Sequence, residues 1–106
     1  MPTDEEKLSA NYSGAFDGQL EFGKNPALLI VDFVMAYLDK ASPLYAGAED
    51  ALASNERLLA AARSTGIPVI FTNVVYQDGG SDGGLFYKKI PALSVFVKGS
   101  PLGAFP

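Results

Sequence analysis

This chain contains neither cysteine nor histidine. Without a thiol it has no thiolate nucleophile, no disulfide and no Cys-bound metal. Without an imidazole it has no Ser-His-Asp triad and no His-ligated metal. Chemistry done within it must rest on carboxylates, lysines, hydroxyls or backbone amides. The acid in the most telling position is Asp32. It closes the apolar run Ala27 to Val31 inside PALLIVDFVMAY (26–37), and the aromatics Phe33 and Tyr37 follow it. An apolar run rich in branched residues and opened by Pro26 reads as a strand buried on both faces. An acid ending such a strand would lie at the carboxyl edge of a parallel sheet, where open α/β folds take their ligands. The alternative is that Asp32 opens a turn or caps a helix, a common fate for Asp after a strand. Asp78 and Asp82 stand in QDGGSDGG (77–84). A reaction run on acids alone would pair Asp32 with one of them, but so glycine-rich a setting fixes no separation between carboxylates.

The elements that must position these residues follow from periodicity. Ala48, Ala51, Leu52, Asn55, Leu58, Leu59 and Ala62 recur at three-four spacing, which predicts a helix over 48–65. Acids near its start and Arg63 near its end suit the helix dipole, and Gly66 with Pro68 marks its stop. A β-branched strand is expected over Val69 to Val75, so strand, helix and strand form a right-handed βαβ unit with parallel strands. The loop 77–84 has no phosphate-binding glycine pattern and reads as mobile, near Asp32 at the carboxyl edge. Residues 85–90 form a short helical turn, the apolar run after Pro91 has no assignable type, and 99–106 is loop. Residues 1–10 read as a frayed, charged terminus. Residues 11–25 are too apolar for a disordered tail and too glycine-rich for a helix. They read as an irregular arm lying on a surface, either the chain's own sheet edge, capping the core, or a neighbouring subunit.

The length of 106 residues allows one domain at most. The balance is mildly acidic, 8 basic against 12 acidic residues with no Lys/Arg run, which gives nucleic-acid binding no electrostatic footing. No segment is long enough to span a membrane, and MPTDEEKLSA is not a basic region leading into an apolar one. No membrane contact is expected, and the cytoplasm is the expected location. One βαβ unit cannot cover both faces of its own strands, so the sequence reads as the front half of a doubly wound α/β domain. Residues 1–25 would be its arm, and residues 26–106 the βαβ unit with following loops.

YSGAFDG (12–18), PALLIVDFVMAY (26–37), SPLYAG (42–47), AARSTGIPVIFTNVVY (61–76) and GGSDGGLFYKKIPAL (79–93) together resemble the isochorismatase-like cysteine hydrolase superfamily. Within it they resemble the branch of N-carbamoylsarcosine amidase and maleamate amidase. The resemblance implies a three-layer fold with a six-stranded, mostly parallel sheet and an Asp-Lys-Cys triad that cleaves a small carbamoyl or amide substrate through a thioester. Asp32 carries over as the triad acid, which takes the thiol proton and later assists attack by water. Tyr37 matches a position lining the substrate pocket, with Tyr76 and Gln77 as further candidates. Val34 stands where many members have Gln two residues after the Asp. The metal site of some relatives is built on His, so no metal and no other cofactor is expected.

The family's Lys and Cys belong to the second half of its domain. Lys98, in VFVKGSPLGAF, echoes the stretch around that Lys, but it is one residue out of register and too close to the second strand. It reads as a surface lysine, as do Lys88 and Lys89. The chain alone is therefore expected to be inactive. Its expected partners are the remainder of the domain, as a second chain or cleaved fragment, a small-molecule amide, and further copies of itself, relatives being tetramers. The rival reading is a non-catalytic binding or assembly module on the same fold, which should melt cooperatively on its own.

Overall fold

The computed structural model describes residues 2–106. Its centre is a parallel pair of strands, β1 (Leu28–Val31) and β2 (Val69–Thr72), joined by the crossover helix α2 (Glu49–Thr65). Leu28 lies opposite Val69, Leu29 opposite Ile70, Ile30 opposite Phe71, and Val31 opposite Thr72. The predicted βαβ unit is present, and the chain is α/β with a parallel sheet.

Helix α2 starts within one residue of the expected position, with Ala48 at its N-cap. Gly66 ends it in the left-handed region (φ 75°), which a side chain would resist, and its amide returns to the Ala62 carbonyl. The face of α2 carrying Leu52, Asn55 and Leu59 turns towards Ile30 and Phe71 on the sheet. Ala62 and Ile30 are buried. Ala51 and Leu58 belong to the same sequence stripe but remain exposed, because the sheet under α2 is only two strands wide.

Two features of the strands depart from expectation. β1 is not buried on both faces: Leu29 is 55 % and Val31 62 % exposed, as is 50 % of Ile70 beside them. Side chains alternate across a strand, and α2 packs on one face only. β2 stops at Thr72 rather than running to Val75, because β1 has turned away by then and the ladder has no further partner. Past the strand, Tyr76 makes one isolated parallel bridge with Val97.

Beyond β1, a 3-10 turn (Met35–Tyr37) carries Val34 and Ala36 into a second small core around Phe96. The Met35 amide bonds the Ala104 carbonyl at 2.9 Å, which ties this turn to the end of the chain. Helix α3 (Gly84–Lys89) follows the glycine-rich loop, and the apolar run after Pro91 is a 3-10 helix reaching Phe96. A final 3-10 turn, Pro101–Gly103, is capped by the Ser100 hydroxyl and interrupts the expected 99–106 loop.

The N-terminus corrects the sequence reading most. Residues Asp4–Ala15 form a helix, α1, where a frayed end and a non-helical arm were expected. A capping box supplies the reason: the Thr3 hydroxyl accepts from the Glu6 amide, and the Glu6 carboxylate accepts from the Thr3 amide at 2.8 Å. Three acids in the first turn add dipole support, and Gly14 lies near the end where it costs little. None of α1 is buried, and Leu20 and Phe22 in the arm beyond it are fully exposed.

This projection shapes the molecule. Its radius of gyration is 19.5 Å, against about 13 Å for a compact chain of this length. Its accessible surface is 8158 Å², against roughly 5,700 Å² for a folded monomer of its mass. Among the described residues, no helix is long and apolar enough to cross a membrane.

Candidate active site

Asp32 follows β1 directly, at the carboxyl end of the parallel pair. The edge position expected from the sequence is therefore observed, and the helix-cap alternative is not. The residue has φ 54°, which among the described residues makes it the one non-glycine in the left-handed region. Asp tolerates that region better than most residues.

Thr72, at the end of β2, holds it there. The Asp32 amide donates to the Thr72 carbonyl at 3.1 Å and lies 3.0 Å from the Thr72 Oγ1. The hydroxyl in turn donates to Asp32 Oδ1 at 2.7 Å. This contact is partly buried and anchors the carboxylate at the carboxyl edge of the strand pair. Sequence reasoning passed over Thr72 as an ordinary β-branched strand residue. The available signal was a hydroxyl at the end of the second strand of a parallel pair whose first strand ends in an acid.

Tyr37 and Tyr76 both pack against the cluster of Val34, Ala36 and Phe96. The Tyr37 ring stands 6.3 Å from that of Phe96, centroid to centroid. Tyr76 bonds through its backbone to Phe96 and Lys98, and its ring meets Tyr87 edge-on at 5.0 Å. The structure thus brings Tyr37 and Tyr76 to one cluster. Gln77 lies just outside it: its side chain is exposed, and its amide donates to Asp82 Oδ1 at 2.8 Å. Asp82 therefore fastens its own loop, which gives it a structural use that the acid-pair reading did not include. Lys98 is exposed, and its amide donates to the Tyr76 carbonyl at 2.8 Å.

The glycine-rich loop is folded on Tyr87. Gly80 is buried with φ 70°, and a Cβ there would collide with the Tyr87 ring. An open depression of about 720 Å³ lies between this loop and α3, lined by Gly79, Gly80, Ser81, Gly84, Tyr87 and Lys88. A smaller cleft of about 140 Å³ lies between α2 and the sheet, with Phe33, Phe71 and Phe105 in its wall. Neither of these two is lined by Asp32, which is half-buried.

The site is a carboxylate at the carboxyl end of a parallel strand, on a βαβ unit with aromatics just beyond. Residues 26–105 match the Isochorismatase domain family, and the chain belongs to it. It is 39 % identical over 105 residues to a maleamate amidohydrolase of Pseudomonas putida, which covers 97 % of this chain and 49 % of that protein. It is 33 % identical over 82 residues to an N-carbamoylsarcosine amidase of an Arthrobacter species, covering 72 % of this chain and 31 % of that protein. The chain thus spans about half the length of one curated relative and less of the other. Both relatives are amide hydrolases by name, and the family resemblance read from the sequence is borne out.

Proposed function

We propose that this chain is the general-base portion of a hydrolase for a small carbamoyl or amide compound. The observation that carries the reading is Asp32, held by Thr72 at the carboxyl end of β1. In the reaction its carboxylate accepts the proton of a cysteine thiol. The thiolate attacks the amide carbon, and the C–N bond breaks as the leaving nitrogen takes up a proton and departs as ammonia. Water then attacks the thioester with the carboxylate's assistance, releasing the acid and restoring the thiol.

This chain has no cysteine. The thiol, the triad lysine and the oxyanion-stabilising amides come from the remainder of the domain, as a second chain or a cleaved fragment. The open face of Leu29, Val31 and Ile70 supports that assignment, since bare apolar sheet is ordinarily covered. Tyr37 and Tyr76 supply part of the pocket wall, and Gln77 stands at its rim. The projecting arm serves contact with further copies of the chain. N-carbamoylsarcosine and maleamate are the two substrates to test. The similarity to the maleamate enzyme runs through nearly the whole chain, so maleamate has a specific observation in its favour.

A denaturing intact-mass spectrum of the purified, folded material tests the reading. A cysteine-bearing polypeptide beside the 11.2 kDa species, or a single longer chain containing both, supports it. A folded sample holding the 11.2 kDa species alone would favour the non-catalytic module.

A further inference from the structure

The geometry points to Thr72 as the positioning residue for the base, an inference that rests on reading Asp32 as that base. The strand ladder does not by itself fix Asp32. Its last pair is Val31 opposite Thr72, and the next residue leaves the sheet at φ 54°. Thr72 takes over at that step. Its carbonyl and its Oγ1 both lie within hydrogen-bond reach of the Asp32 amide, which fixes the backbone. Its hydroxyl carries a single proton, and that proton goes to Oδ1 at 2.7 Å, which fixes the carboxylate. Among the described residues Oδ2 has no hydrogen bond and is the oxygen left for proton transfer. The main chain and side chain of Thr72 together hold the turn, and its hydroxyl sets the direction of the base.

The residue type fits the task. A β-branched side chain has a restricted χ1, so the hydroxyl direction is set before any substrate arrives. Serine would keep the hydrogen bonds with a looser rotamer. Valine would keep the shape and the strand preference but lose the hydroxyl. A residue that merely filled the strand end would be replaced by valine without consequence.

The test measures kcat, KM and melting temperature for Thr72→Val, Thr72→Ser and Thr72→Ala in the full-length protein, beside Asp32→Asn. Thr72→Val is expected to lower kcat about ten- to hundredfold, the range for losing one hydrogen bond to a charged group. KM should stay within about twofold, since the hydroxyl orients the base and does not hold substrate. Thr72→Ser should recover most of the loss. Thr72→Ala carries the same test if the valine variant does not fold. Wild-type kcat in the valine or alanine variant would overturn the inference, as would a loss confined to KM or a serine variant as impaired as the valine one. If Asp32→Asn is inactive while Thr72→Val is normal, only the role of Thr72 fails. If Asp32→Asn is itself active, the base assignment fails first.

Discussion

A left-handed backbone costs most L-residues about 1–2 kcal/mol. At Asp32 the Thr72 hydroxyl and carbonyl offset that cost by satisfying the amide and the carboxylate together. Position 32 was legible in the sequence because an acid ending an apolar run is rare and local. Its partner was not, because forty residues separate them and the pairing exists only once the register is set. A second pairing at this scale has a pH signature. The Tyr45 hydroxyl donates to Glu49 at 2.7 Å, tying the loop before α2 to its first turn. This hydrogen bond holds the Glu49 carboxyl below its ordinary range and pushes the Tyr45 hydroxyl above its own. Glu49 thus contributes stability that is present above the unfolded carboxylate value and lost as pH falls through the lowered one. Tyr45 contributes stability that is present below the ordinary tyrosine value and lost as pH rises through the raised one. Melting curves of wild type and Tyr45→Phe should differ in the neutral range and converge in acid and in strong alkali. A difference independent of pH would contradict the pairing.

At the scale of elements, α2 and both strands could be read from period and punctuation, because their apolar faces meet within this chain. Where the expectation needed a partner surface it failed: β1 is covered on one side, and β2 ends where β1 turns away. Helix α1 failed for the opposite reason. Its stability is local, and the Thr3–Glu6 capping box outweighs the glycine at position 14. Thr3→Ala should cost α1 about 0.5–2 kcal/mol. Because nothing in α1 is buried, the loss should appear as faster amide exchange in residues 4–15 with the main melting transition unmoved. A shift of the main transition would mean that α1 is coupled to the core. Within the loop 77–84, Gly80 lies tight under Tyr87. Gly80→Ala should destabilise this loop by about 1–3 kcal/mol through the clash, with the positive φ adding to it. Limited proteolysis between residues 77 and 84 would report it as faster cleavage, and an unchanged rate would show that the ring moves aside freely.

For the whole molecule, the surface excess and the open sheet face describe a chain whose α/β class is set but whose core is partial. Phe96, Val34 and Ala36 make one small cluster, Ile30 and Ala62 are buried outside it, and the sheet has one bare side. The 106-residue chain by itself should therefore bind a dye for exposed apolar surface and scatter with a radius of gyration near 19.5 Å. A value near 13 Å with no dye binding would indicate a self-sufficient module. The proposed role of Asp32 as the base of a small-amide hydrolase is tested most directly by ammonia release from maleamate and from N-carbamoylsarcosine by the full-length protein, wild type against Asp32→Asn. Wild type should turn over at least one substrate, and the variant should lose about 10²–10⁴-fold in kcat. Equal rates for the two proteins would contradict it.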